Sequence, residues 1–185
     1  MLQAPAYGCS FKTLSMKTGN KNSQRFAILQ QVMNNATSWI GHRRDNKDVI
    51  SGQTFVSPKE CDLSAIEIFS AVVTKPGKVT MTLHNFDTEL KCWGPALSSS
   101  SMDIDNSEAG KWLAFDMPGM KLDKGKAYGF RLERPDTLIG VGEAAGDLSK
   151  PPFSYGQEWQ FTEEQIEGQS FSYFSLAFKI DMKAA

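Results

Sequence analysis

The sequence predicts a mainly β protein, an antiparallel β-sandwich or barrel with a short helix near its N-terminus. Three observations carry that expectation. From Val49 onward, apolar residues recur at every second position in several short runs, the rhythm of strands that turn one face to a core. The runs are separated by Gly, Pro, Asn and Asp clusters with turn chemistry. No helical pattern lies between them, which argues against βαβ units and for antiparallel strands.

Taken in order, Ala6 to Met16 has mixed polar character and is expected to supply one strand. Ser23 to Gly41 carries Phe26, Leu29, Val32 or Met33, Ala36, Trp39 and Ile40 at three-and-four spacing. That spacing predicts an amphipathic helix, capped by Asn22 or Ser23 and ended by Gly41. His42 to Asp48 reads as a charged connector. Residues 1–48 are therefore expected to form an extension whose helix packs on the main domain, and residues 49–185 the β domain itself.

Within that domain four alternating sets stand out: Val79, Met81 and Leu83; Leu113, Phe115 and Met117; Tyr128, Phe130 and Leu132; and Phe174, Leu176, Phe178 and Ile180. Turns are expected at Lys75-Pro76-Gly77, Met117-Pro118-Gly119, Asp123-Lys124-Gly125, Arg134-Pro135-Asp136 and Lys150-Pro151-Pro152. Gly140-Val141-Gly142-Glu143-Ala144-Ala145-Gly146 misses the GxGxxG spacing by one residue and lacks a βαβ context. It reads as a strand or bulge in which small residues permit close approach.

Composition narrows the function classes. The 185 residues suit one domain, with or without an extension. A hydrophobic content of 41% excludes a largely disordered chain. A net charge of −1 provides no global basic field for nucleic acid, and no apolar run is long enough for a helical membrane span. The N-terminal segment lacks the basic start and apolar core of a secretory signal. Cys9, Cys61 and Cys92 are too sparse for a disulfide framework or a CxxC metal site. A Cys61–Cys92 bridge and three free thiols both remain open, the free thiols being the preferred reading.

Several segments together carry a resemblance. These are Gly52-Gln53-Thr54-Phe55, Leu63 to Ile68, Lys78 to Leu83, Lys111-Trp112-Leu113-Ala114-Phe115, Leu122 to Leu132, and Leu176-Ala177-Phe178-Lys179-Ile180. In order and spacing they resemble the jelly-roll, galactose-binding-like accessory modules of secreted and surface proteins in Bacteroidetes. The resemblance covers about residues 50–181. It implies a jelly-roll sandwich, a polysaccharide-related role and a secreted or cell-surface setting, although a fold alone does not fix function.

Candidate chemistry follows from loop residues. Sugar rings present apolar C–H faces that stack on aromatic side chains. Trp93 precedes Gly94-Pro95 in a run of small polar residues, and Tyr155 and Trp159 follow the double proline at 151–152. These three are the stacking candidates, with packing of loops onto the domain as the competing role. His84 closes an alternating strand and is a candidate ligand contact. Trp112 and Tyr128 are expected in the core. Asp103, Asp105 and Glu108 offer closely spaced oxygen ligands, and jelly-roll carbohydrate modules often hold a structural calcium ion. Their spacing misses the EF-hand loop, and a solvated acidic turn is the preferred reading. Neither a GxSxG elbow, an HExxH helix, a P-loop nor a catalytic cysteine signature is present. Glu143, Asp147, Glu158, Glu163 and Glu164 are available carboxylates that no motif singles out. The expectation is a noncatalytic module that recognises a glycan through loop aromatics. The alternative is a structural or protein-interaction domain in a surface assembly, with the aromatics in its core.

Overall fold

The computed structural model describes residues 25–42, 48–133, 137–162 and 165–183. Among them are fourteen strands, joined by antiparallel pairing into one branched, open sheet, and no α-helix. In chain order the strands are β1 (Arg25–Gln31), β2 (Ala36–His42), β3 (Asp48–Val56), β4 (Cys61–Lys75), β5 (Gly77–Asp87), β6 (Cys92–Ile104) and β7 (Lys111–Asp116). They continue as β8 (Lys121–Leu122), β9 (Ala127–Glu133), β10 (Leu138–Ala145), β11 (Glu158–Thr162), β12 (Gln165–Phe171), β13 (Phe174–Leu176) and β14 (Phe178–Lys183). The main path runs β1-β14-β4-β10-β2-β3-β9-β5-β6. Beside it, β7 and β8 pair with β4, β13 pairs with β10, and β11 bridges β3 to β12. Among the described residues no helix is long and apolar enough to cross a membrane, a statement that does not concern β-barrels.

The expected N-terminal helix is replaced by two strands. β1 pairs with β14 from Arg25–Lys183 to Gln31–Phe178, and β2 pairs with β10 from Ala36–Glu143 to Gly41–Leu138. Two local features explain why the helical rhythm misled. The Asn34-Asn35 pair falls where a turn is needed, and Thr37, Ser38, Trp39 and Ile40 gain more from a pleated neighbour than from a helix. Gly41 then serves the strand: at φ +106° it lies against the Thr137 backbone, where a side chain would collide with the carbonyl. The pairing carries across the expected boundary at residue 48, since Gly41 pairs with Val49 and His42 with Asp48. The expected strand at Ala6–Met16, Cys9 and the Arg134–Asp136 turn lie outside the described residues.

The period-two sets fill the core. Val79, Met81 and Leu83, Phe130 and Leu132, and Leu176, Phe178 and Ile180 are fully buried. Phe178 of β14 meets Phe130 of β9 at 5.6 Å, Phe55 of β3 at 6.3 Å and Phe153 at 5.2 Å. Side chains from distant positions of the sheet path therefore share one core, and each buried Phe contributes about 2–3 kcal/mol of burial. Tyr128 is buried as expected, and its hydroxyl ties down the neighbouring turn by accepting the Asp123 amide at 3.0 Å. The turns at 117–119 and 123–125 place Gly119 and Gly125 at φ +76° and +77°. Trp112 departs from expectation. It is half-buried, packs on Phe69 at 5.5 Å, and carries the Lys179 ammonium 4.0 Å from its ring centroid. Cys61 is buried and Cys92 exposed, both as free thiols.

Candidate functional site

Glycines build the floor of the site. Gly52 of β3 and Gly129 of β9 lie beneath the Trp93 ring, and a Cβ at Gly129 would overlap that ring. Trp93 can therefore approach the sheet closely where any larger residue would push it away. Around it stand Phe86 at 5.5 Å, Trp159 at 5.8 Å, Phe161 at 5.5 Å and His84 at 5.7 Å between ring centroids, all edge to face. The Arg131 guanidinium carbon lies 4.5 Å from the Trp93 centroid and 4.2 Å from that of Phe161. Burial lowers the Arg131 pKa from its ordinary value, with the Glu133 charge opposing, and the aromatic faces supply part of the stabilisation that water no longer gives.

This cluster brings together three of the four residues expected to contact a ligand, but it encloses them. Trp159 is 4% exposed, and the indole nitrogens of both Trp93 and Trp159 are buried without hydrogen-bond partners among the described residues. His84 is buried too. Its Nδ1 lies 2.9 Å from the Gly94 carbonyl and its Nε2 2.9 Å from the Thr82 hydroxyl, so both ring nitrogens are engaged. Burial pushes its pKa down, which favours the neutral ring. Trp159 and His84 are thus enclosed in the cluster, and Trp93, half-buried, forms its centre.

Tyr155 is placed differently. Its side chain is 62% exposed and lines a cleft of about 350 Å³ with Phe86, Thr54, Thr88, Lys91, Ser154 and Gln157 among its walls. The segment carrying Tyr155 is fixed to β3, because Val56 donates to the Tyr155 carbonyl and Thr54 to the Gln157 carbonyl, both at 2.9 Å. The Gln157 amide donates to the Thr54 hydroxyl at 2.9 Å. Gly156 is required in this segment, since a Cβ there would overlap the Thr54 carbonyl. The opposite wall is the turn between β5 and β6. Asp87 Oδ1 accepts the amides of Glu89 at 2.9 Å and Leu90 at 2.8 Å, and Lys91 follows at φ 51°. Phe86 is the link that sequence reasoning missed: it lines the cleft and also meets Trp93 at 5.5 Å and Trp159 at 5.4 Å. Its only signal in the sequence was its place two residues beyond His84.

The acidic candidates are arranged as a turn. Asp105 caps a single 3-10 turn at Asn106–Glu108, accepting the Ser107 amide at 2.7 Å. The hydrogen bonds from Ser107 hold its pKa down. Glu108 faces Lys111 at 3.7 Å, and Asp103 sits in β6 opposite Lys78. No group of three or more His, Cys, Asp or Glu side chains is gathered to hold a metal ion among the described residues. Asp105 and Glu108 thus belong to a capped turn, with Asp103 in the strand before it.

A second feature that no motif announced is a buried carboxyl pair. Glu158 at the start of β11 is 0% exposed and Glu143 of β10 is 6% exposed. Ser38 donates to Glu158 Oε1 at 2.9 Å and lies 2.9 Å from the Ser51 hydroxyl. The other Glu158 oxygen has no hydrogen-bond partner among the described residues; the Glu143 carboxyl and the Gln160 side chain lie beside Glu158, and a protonated Glu158 can donate to Glu143. Burial, then the charge and hydrogen bond of Glu143, push Glu158 up to about 9. Burial also raises Glu143, and the two share their titration as a pair.

The fold has a solved counterpart. It is similar to the clostridial cysteine protease Cwp84 after propeptide cleavage, with a TM-score of 0.52 and 11% identity. The match spans 89% of this chain and 41% of that one. At this identity it shows a shared fold alone. No protein-family model matches the sequence, and neither does any curated protein.

Proposed function

We propose that the chain is a noncatalytic carbohydrate-binding module. It holds a glycan in the cleft between the β5–β6 turn and residues 153–157, on strands arranged as a jelly-roll β-sandwich. The observation that carries this reading is the exposed Tyr155 ring standing over a cleft with Phe86 in its wall and Thr54, Thr88, Ser154 and Gln157 around it. Apolar rings suit the C–H face of a sugar, and the hydroxyl and amide groups suit its hydroxyls. The cleft volume falls within the range of small-ligand sites, roughly 300–1,000 Å³. The sandwich reading is supported by Phe178, which packs on Phe55 and Phe130 from the other end of the sheet path. Binding without catalysis is supported by where the buried carboxyl pair lies: Glu143 and Glu158 touch each other in the interior and are outside the cleft walls. Glycosidase carboxyls stand about 5 Å or more apart, across a sugar.

Affinity electrophoresis against a panel of plant, algal and host polysaccharides tests the proposal. Retardation by at least one polymer, lost in Tyr155→Ala with the fold intact, is expected. Retardation unchanged by Tyr155→Ala would refute the site. A second reading, a protein-interaction domain, is favoured by one observation: Trp39 and Val72 are 40% and 37% exposed on either side of Gly140. Concentration-dependent self-association abolished by Trp39→Ser, without any polysaccharide retardation, would favour it.

A further inference from the structure

The charge in the cleft has one sign. Lys91 is the charged side chain among the residues that line it, and no Asp or Glu is among them. The acidic residues nearest in sequence are otherwise placed. Asp87 spends a carboxylate oxygen on the Glu89 and Leu90 amides. Glu89 is exposed in the turn and is not part of the lining. Asp123 faces Lys126, at 3.7 Å. Lys91 itself has no ion-pair partner among the described residues. Its position is held by the turn that Asp87 closes, in a left-handed backbone conformation that is unusual for a lysine. The chain as a whole has a net charge of −1, so an attraction for anions would be a property of this cleft and not of the molecule.

Resting on the glycan reading above, we infer that the cleft takes an anionic sugar, with Lys91 receiving its carboxylate or sulfate while Tyr155 and Phe86 receive the ring. A lysine ammonium is a compact point charge with three donors and accepts either anion. One charge-assisted hydrogen bond to the sugar corresponds to an affinity gain of about tenfold.

The test uses matched polymers: polygalacturonate against its fully methyl-esterified form, and dextran sulfate against dextran. Dissociation constants are measured for the wild-type chain, Lys91→Met, Lys91→Arg, and Lys121→Met as a lysine of β8 outside the cleft. The wild-type chain is expected to prefer at least one anionic polymer about tenfold over its neutral partner. Lys91→Met should remove that preference, so that anionic and neutral polymers bind alike, while Lys91→Arg and Lys121→Met retain it. Preference for polygalacturonate alone identifies a uronate, and for dextran sulfate alone a sulfated sugar. Equal binding of anionic and neutral polymers overturns this inference but leaves the glycan reading standing. An anionic preference lost equally in Lys121→Met also overturns it, by showing general attraction. Binding of none of these polymers, with a neutral glycan retained in the panel above, overturns it as well.

Discussion

Replacing Glu158 by Gln tests the buried carboxyl pair, because the amide keeps the shape and donates to Glu143 as the protonated acid does. Glu158 has an ordinary value of 4.5 and is raised in the fold to about 9. Between those values the folded chain keeps a proton that the unfolded chain releases, so stability is greatest below about pH 4.5 and declines as pH rises toward 9. The slope for one such group is about 1.4 kcal/mol per pH unit. From pH 5 to pH 8 the wild-type protein therefore loses on the order of 4 kcal/mol from this source, about 10 °C in Tm for a domain of this size. A glutamine amide does not titrate, so the Glu158→Gln variant should show a flatter curve and exceed wild type at pH 8. Asp181, pushed up to about 6 by burial and then by Glu67, and His84, pushed down by burial, add their own slopes equally to both proteins. Differential scanning calorimetry between pH 5 and pH 9 measures the difference directly. Parallel Tm curves for the two proteins would refute the shared proton.

Three further outcomes follow from the packing. Gly129→Ala should displace Trp93 and cost about 1–3 kcal/mol, seen as a lower Tm and a red shift of tryptophan emission; an unchanged spectrum would count against the glycine floor. Gly156→Ala should force residues 155–157 away from Thr54, losing about 1–3 kcal/mol and polysaccharide retardation together; retained binding would show that the cleft wall is not needed. Lys179→Ala removes the ammonium that lies 4.0 Å from the Trp112 centroid and 2.7 Å from Glu67. It should cost about 1 kcal/mol and raise the Asp181 pKa further, since Lys179 opposes that rise; an NMR titration of Asp181 that stays unmoved would contradict the arrangement.

The β character was legible because alternation at residues 79–83 and 113–117 has one physical cause, a pleated strand with a single buried face. At 128–132 and 174–180 it was legible too, although Gly129, Ser175 and Ala177 are buried as well and the latter run divides between β13 and β14. The segment 25–42 was misread because three-and-four spacing arises in two consecutive strands by coincidence. What decides between the readings is the presence of β14 and β10 as partners, which lie about a hundred residues or more away. The candidate site was legible only in part. Aromatic type and loop context brought out Trp93, Tyr155 and Trp159, yet which ring faces solvent depends on what packs over it. Gly52 and Gly129 draw Trp93 onto the sheet, while the backbone bonds to Thr54 and Val56 hold Tyr155 outward. Glu143 and Glu158 were two carboxylates among several, because their meeting depends on β10 and β11 and not on any spacing along the chain.

The central claim is that a glycan occupies the cleft walled by the β5–β6 turn and residues 153–157. Two-dimensional amide NMR of the labelled chain, titrated with a polysaccharide fragment that retards it, tests this most directly. Shifts concentrated at Phe86 to Lys91 and Ser154 to Gln157, with Trp39 and Trp112 unmoved, are the result expected. Shifts centred on Trp39, Val72 and Trp112, with the cleft residues silent, would contradict it.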